Sequence, residues 1–315
     1  MTIVTEIARE RKCFYLELRQ LQYVIQIAKE KNFSRAAEKL HIAQPSLSQQ
    51  LSKLEKEIGV LLFRRTTNSV ELTHAGSVFV EKAEGILDNV EQLKQELDDL
   101  AHMRKGKLVV GCLSITGSHV LPIVLPIFNR RFPEIEVVLV EDTPSKLEQL
   151  TASGQTDLSL LALPLHEPSL EWVPIIEEEI ILAVPPGHAL ANRTTPVRVE
   201  ELRAEPFIVL KKGQGFRQIV LETCERAGFE PRVVFESTNI ETVQSLVAAG
   251  MGITFVPKML MRAADGELAP AYLSFDAPKP TRTLVIASRK GRYLSRAAEA
   301  FIATLNVTAE EHFGS

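Results

Sequence analysis

The sequence predicts an α+β multidomain chain: an N-terminal winged helix-turn-helix, a long linker helix, and a C-terminal α/β body of two lobes. Three patterns lead there. Apolar residues recur at helical spacing through residues 16–58 and are interrupted near Asn32 and Pro45. From Phe79 to Leu100 they keep a strict seven-residue repeat. Beyond Gly106, short β-like runs alternate with helical ones, the order of a parallel sheet crossed by helices.

Composition sets the outer limits. The chain has 315 residues, enough for about two domains at roughly 150 residues each. Hydrophobic residues make up 45% and charged residues 24%, which excludes a disordered or fibrous chain. Three cysteines are too few for a disulfide framework. Apolar stretches such as Val120–Phe128, broken by Pro122 and Pro126, fall short of the roughly 18 residues of a membrane span. Residues 1–13 lack the apolar core of a secretory signal. A soluble, reduced, cytoplasmic protein without membrane contact is expected. The net charge of −4 is unevenly spread. Residues 1–76 hold 12 Lys and Arg against 8 Asp and Glu, and the remainder 24 against 32. A basic head on an acidic body suits nucleic-acid binding at one end.

In the head, Leu18, Leu21, Val24, Ile25 and Ala28 mark a first helix over residues 16–31. After a turn at Asn32, Ser34 is a suitable N-cap for a short helix Arg35–His41, with Ala36, Ala37 and Leu40 inward. Pro45 then suits the first position of a third helix, where its missing N–H costs nothing. Leu47, Leu51, Leu54 and Ile58 form that helix's inner face, and Ser46, Ser48, Gln49, Gln50 and Lys53 its outer one. Two short helices joined by a tight turn read as helix-turn-helix, the second entering the major groove by its N-terminal end. Gln pairs bidentately with adenine, and Ser bonds phosphate or base edges. The alternative is a solvated face on an ordinary helical bundle. The β-like runs Val60–Phe63 and Val70–Leu72 flank a polar turn containing Arg64 and Arg65. They predict a wing whose arginines grip phosphate.

The segments SRAAEKL, QPSLSQQ, LEKEIG, LLFRR and LTHAG lie within residues 18–76. Together this stretch resembles the DNA-binding head of the LysR-type transcriptional regulators. The resemblance implies that Gln44, Pro45, Ser48 and Gln49 approach bases. The position of Gln49 is often basic in that family, so its base preference stays open. Arg35, Arg64 and Arg65 would hold the DNA backbone. Members usually begin one or two residues before the equivalent of Glu17, whereas 15 residues precede Leu16 here. Residues 1–15 are expected to be absent from the cellular protein or to form a frayed tail. An intact mass that includes Met1–Tyr15 would end the first alternative.

Thr73 is a candidate N-cap for the linker, residues 75–105. Phe79, Ala83, Ile86, Val90, Leu93, Leu97 and Leu100 make a narrow seam that favours a partner helix over packing within one domain. A dimer also serves the head, since two recognition helices related by a dyad read a palindrome. The resemblance implies the same linker-helix dimer, often assembled into a tetramer.

The body, residues 106–315, begins with strands Leu108–Leu113, Ile135–Val140 and Asp157–Leu163, with helices near residues 120–131 and 145–153 between them. A second set follows: strands Ile180–Val184, Phe207–Leu210, Val233–Phe235 and Ile253–Val256, with helices near 216–227 and 240–249. A last strand, Thr283–Ala287, and helix, Ser295–Leu305, return to the first lobe. Lobe I is expected to comprise 106–165 and 277–315, and lobe II 166–276. The arrangement resembles periplasmic type 2 solute-binding proteins, and the family resemblance implies the same fold.

Ligands of open α/β sheets sit beyond strand C-termini, near helix N-termini. That rule selects Ser114, Thr116 and Gly117 after the first strand and Thr143 after the second. In lobe II it selects Phe216 after Gly213-Gln214-Gly215, and Thr238. Similar positions in the family line the effector cleft. A small anionic effector, an organic acid, is therefore expected, with Lys211, Lys212 and Arg217 as sources of positive charge. Each residue taken alone is more often an N-cap or a solvated cation, and it is the convergence of four such loops that favours a ligand.

No G-x-S-x-G, Walker loop or H-E-x-x-H is present. Gln218 breaks the dinucleotide fingerprint that Gly213 and Gly215 begin. The seven histidines lack ligand spacing, so no metal, cofactor or catalytic residue is expected. Cys112 and Cys224 read as buried structural thiols, with redox sensing as the alternative. The favoured function is a transcriptional regulator bound to a partly palindromic promoter in double-stranded DNA, with RNA polymerase as a further partner. The alternatives are a cytoplasmic ligand-binding protein or enzyme whose first hundred residues only oligomerise, and a DNA-packing protein without a ligand.

Overall fold

The computed structural model describes residues 16–65, 70–101, 106–263 and 268–313. The N-terminal extension, residues 1–15, and the wing tip, 66–69, lie outside the described residues. The chain divides into two compact units, one ending at Lys94 and one beginning at Gln95.

The first unit contains helices α1 (Leu18–Glu30), α2 (Phe33–Lys39) and α3 (Gln44–Ile58), a two-stranded wing, and most of helix α4 (His74–Ala101). The three short helices bury the faces their periodicity marks: Val24 and Ile27, Ala36 and Ala37, and Leu47, Leu51 and Leu54. The expected cap of α2 needs correction. Asn32, not Ser34, caps it, its Oδ1 accepting from Ser34 N at 2.9 Å and Arg35 N at 3.1 Å. Both residue types cap well, but only an acceptor two residues earlier reaches these amides, so the helix starts at Phe33. Helix α3 ends at Gly59, whose φ of 77° is the left-handed C-cap conformation.

The wing pairs β1 (Phe63–Arg65) with β2 (Val70–Leu72), antiparallel. The expected first strand, Val60–Phe63, is displaced because Glu55 fixes the connection. Its buried carboxylate accepts from Leu62 N at 2.7 Å and Phe63 N at 3.2 Å, so Val60 and Leu61 stay in an exposed connector. Glu55→Ala leaves two backbone N–H groups without an acceptor. It should destabilise this unit by about 2–3 kcal/mol, seen as a lower urea midpoint of its helical circular dichroism. Retention of the wild-type midpoint would refute the anchoring role.

Thr73 starts α4. Its Oγ1 accepts from Gly76 N at 2.9 Å and donates to Leu61 O at 2.7 Å. A Cβ on Gly76 would lie 2.0 Å from Leu62 O, so the junction of wing and helix admits only glycine. Along α4, Ala83 is buried with Leu21 and Ile25 of α1, flanked by Phe79, Val80 and Leu87. Farther along the seam Ile86, Leu93 and Leu97 are exposed. The Leu100 side chain is outside the described residues.

In the second unit, β3 (Gly106–Cys112) runs parallel to β4 (Ile135–Glu141) and β5 (Leu158–Ala162). Antiparallel β11 (Thr281–Arg289) and the long β6 (Leu170–Val184) continue the sheet. Helices α6 (Leu121–Arg131) and α10 (Arg296–Phe313) pack on one face through Val124, Phe128 and Phe301. Helix α7 (Pro144–Ala152) packs on the other through Leu147, against Leu161 and Val285. The far half of β6, Ile180–Val184, pairs with β9 (Thr254–Pro257) and the edge strand β10 (Ala271–Leu273). Beside them stand β7 (Pro206–Leu210) and β8 (Arg232–Ser237), parallel, with helices α8 (Gly215–Arg226) and α9 (Ile240–Ala248). These close a second core around Phe207, Phe255 and Phe275.

Two expectations change here. Strand β6 starts at Leu170 rather than Ile180, and its first half pairs with β11 in the first sheet. The crossing between lobes therefore lies near residue 179, not at 166. Pro174 and the run Glu177–Glu179 obscure the strand pattern, and Pro174 is accommodated where the register with β11 shifts. Residues after β3 form a short helix, α5 (Ser114–His119), rather than an open loop, with Gly117 N donating to Leu113 O at 2.7 Å.

Candidate functional site

In the head, buried Leu47, Leu51 and Leu54 turn the opposite face of α3 outward. Gln44, Pro45, Ser46, Gln49 and Lys53 are exposed, and Ser48 is half-buried. Ala43, the N-cap, offers no side-chain acceptor for the first N–H groups of α3. Lys53 has a loose partner, Glu57 at 3.9 Å. Arg35 and Arg64 are exposed cations, Arg64 directly opposite Glu71 in the wing. Arg65 occupies the last position of β1, and its side chain is outside the described residues. The edge contact of Phe33 with Phe63, 6.4 Å between centroids, holds α2 against the wing.

In the second unit the expected cleft loops approach one another. A Cβ on Gly215, the first residue of α8, would lie 3.2 Å from Cγ of Pro144, the first residue of α7. Ile115 of α5 packs against the lobe II core. Ser114, Thr143 and Thr238 are exposed. Thr143 N donates to Asp142 Oδ1 at 2.7 Å, which already offsets the N-terminus of α7. Gly117 lies against Glu141, whose Oε1 would be 2.9 Å from a Cβ there.

Three expected ligand contacts need correction. Thr116 is fully buried, and its Oγ1 has no hydrogen-bond partner among the described residues. The fold of α5 turns that hydroxyl inward instead of presenting it. Phe216 belongs to the lobe II core, 5% exposed, with the Arg282 guanidinium 5.6 Å from its ring centroid. Arg217 is committed elsewhere: Nη1 donates to Leu210 O at 2.7 Å and Glu236 Oε1 at 2.6 Å. Lys211 and Lys212 are exposed.

The buried ion pair beneath the cleft was not anticipated. Arg282 of β11 and Glu178 of β6 have side chains only 3% and 5% exposed, with Nε to Oε2 at 2.6 Å. The other Glu178 oxygen accepts from Met259 N at 2.9 Å. The only trace in the sequence is a charged residue at an inward position of TRTLVIASR. Its partner is 104 positions away, beyond the reach of any local pattern.

Burial pushes the Cys112 thiol up to about 11, with the nearby Glu141 charge adding to it, and burial alone pushes Cys224 to about 12. At pH 8 folded Cys112 is thus ionised to roughly one part in a thousand. Its reaction with a thiol reagent should wait on unfolding; prompt labelling of Cys112 or Cys224 in the folded chain would contradict this. Because both values rise above the reference of 9.0, the thiols contribute stability that is complete below pH 9. It is lost as pH climbs toward 11 and 12. Among the described residues there is no metal-binding cluster of His, Cys, Asp and Glu, and no helix long and apolar enough to cross a membrane.

Comparison with known proteins gives concordant results. The family profile described as LysR substrate binding domain matches residues 101–309. The profile described as bacterial regulatory helix-turn-helix protein, lysR family, matches residues 18–77. An uncharacterized HTH-type transcriptional regulator YcgK of Bacillus subtilis is 41% identical over 304 residues, covering 91% of this chain and 93% of its own. A hydrogen peroxide-inducible genes activator of Dickeya chrysanthemi is 34% identical over 279 residues, 88% of this chain and 90% of its own. Full-length OxyR of Pseudomonas aeruginosa superposes with a TM-score of 0.73 at 28% identity, covering 94% of this chain and 95% of that one.

Proposed function

The chain belongs to the LysR family of transcriptional regulators, and from that premise we propose that it works as a symmetric pair on a partly palindromic promoter in the cytoplasm, answering to a small carboxylate between the lobes. It is a regulator with an effector-binding domain, not an enzyme. The observation carrying the DNA assignment is the outer face of α3: an uncapped N-terminus with Gln44, Pro45, Ser46 and Gln49 exposed above a leucine core. Gln49 reads a base edge, Gln44 and Ser48 assist it, and Arg35, Lys53, Arg64 and Arg65 hold phosphates.

Gln49→Ala should relax preference at one base position, at a cost of about 1–3 kcal/mol against the best site. Arg64→Ala should instead weaken all sequences alike and reduce the salt slope by about one. Binding selections from a randomised site, repeated at several salt concentrations, separate the two. An unchanged base preference in Gln49→Ala means that a different face of the head meets the groove.

The effector acts by favouring one arrangement of lobes or subunits, and so one spacing of DNA heads. It shifts that equilibrium only by its difference in affinity between the two arrangements. The relative named for peroxide induction suggests thiol sensing as an alternative. The buried, protonated state of Cys112 and Cys224, in separate lobe cores, favours a ligand instead. Undiminished inducer response in a Cys112→Ser, Cys224→Ser double variant is the expected result.

A further inference from the structure

Helix α3 and the wing are joined through the peptide groups of Leu61, Leu62 and Phe63. Glu55, near the end of α3, is 9% exposed, and its Oε1 accepts from both Leu62 N at 2.7 Å and Phe63 N at 3.2 Å. The start of α4 holds the same segment from the other side. Thr73 N donates to Leu62 O at 2.9 Å, and Thr73 Oγ1 donates to Leu61 O at 2.7 Å. Leu62 thus has its N–H tied to α3 and its C=O tied to the start of α4.

The wing needs such a tie. It pairs only three residues of each strand, and a two-stranded ribbon is marginal by itself. The connector before it adds little, since Val60 and Leu61 are 47% and 66% exposed. The buried side chains of Leu62 and Phe63 keep the base of the wing in the core. Apolar burial is non-directional, whereas two N–H···O bonds onto one oxygen fix the direction in which β1 leaves α3. Arg64 is the next residue along β1, and it is exposed. The Glu55 carboxylate therefore sets where that guanidinium stands relative to the outer face of α3.

We propose that Glu55 is a positioning residue for DNA binding: it orients the wing against α3 so that Arg64 reaches a phosphate while the outer face of α3 occupies the groove. Its own carboxylate is buried and acts only through the wing. The role belongs to the acceptor oxygen and its reach, not to the negative charge. Both bonds end on Oε1, and the carbonyl oxygen of a glutamine can accept both. This assignment rests on the reading of Arg64 as a phosphate contact.

The test places Arg64→Ala in three backgrounds of the full chain: wild type, Glu55→Ala and Glu55→Gln. Each is titrated, at several salt concentrations, with the site recovered from the randomised-DNA selection, and folding of the head is checked by circular dichroism. In the wild type Arg64→Ala should flatten the salt slope by about one. In Glu55→Ala, whose wing has lost its direction, the flattening should be less than about half of that. In Glu55→Gln it should equal the wild-type change. Comparison within each background cancels any shared loss of folded head, so a purely structural role predicts the same change in all three. Should Glu55→Ala fail to fold, Glu55→Asp takes its place: it keeps the charge, draws the oxygen back by one methylene, and should behave as Glu55→Ala is expected to. Equal flattening in the wild type and in Glu55→Ala or Glu55→Asp overturns the positioning role and leaves the phosphate contact standing, and so does a Glu55→Gln that behaves like Glu55→Ala. No flattening in the wild type removes the phosphate contact, and the positioning role with it.

Discussion

Leu93→Glu with Leu97→Glu should convert the regulator into a monomer and lower its affinity for the full promoter site at least about a hundred-fold. In the folded chain Ala83 is covered by α1, and Phe79 is half-buried with it. Past Ala83, Ile86, Leu93 and Leu97 of the seam are 41%, 56% and 55% exposed among the described residues. Bare leucines at seven-residue spacing stabilise a partner helix, and carboxylates in their place desolvate on association without a counter-ion. A single head grips one half-site. Joining two heads makes the second contact intramolecular, and that gain vanishes with the dimer. Sedimentation measures the first effect and titration of a promoter fragment the second. Glu81→Gln, on the opposite side of α4, should change neither. A double variant that remains dimeric would place the interface elsewhere.

The parts foreseen most accurately are those whose causes are local. The leucines of α3, Thr73 before α4 and the seam all act within a turn or two of helix, so periodicity and capping chemistry reveal them, and Pro45 falls in the first turn of α3, one position later than expected because the helix starts at Gln44. The misjudged α2 cap pitted two good capping residues, Asn32 and Ser34, against each other, and only geometry decides which one reaches the amides. The first half of β6 escaped because Pro174 and three consecutive glutamates do not look like a strand until the partner β11 is in place. The cleft shows the same limit. Rules about strand ends select Ser114, Thr143 and the Gly215 turn, but not that Thr116 turns inward or that Arg217 is spent on Glu236. Arg282 and Glu178 could not be paired in advance, since their meeting depends on the register of two distant strands.

That pairing carries the largest expected loss of stability. Glu178→Ala removes the counter-ion of a guanidinium 3% exposed and the acceptor of Met259 N together. Breaking such a pair from one side costs about 3–5 kcal/mol, because the remaining charge stays buried. The single tryptophan, Trp172, lies on the same strand as Glu178, so its fluorescence follows unfolding of this unit in urea. Glu178→Gln keeps an acceptor for Met259 N and loses only the charge, so it should fall between wild type and Glu178→Ala. Glu178→Gln with Arg282→Met removes both charges and fills the space with an apolar chain. It should therefore recover most of the loss, since a buried ion pair and a packed neutral pair are often of similar stability. The ordering separates electrostatics from packing: were the pair only filling space, Glu178→Gln would match wild type and the double variant would fall below it. If Glu178→Ala unfolds within about 1 kcal/mol of wild type, Arg282 must already have access to water or another acceptor, and the lobe junction is looser than its burial implies.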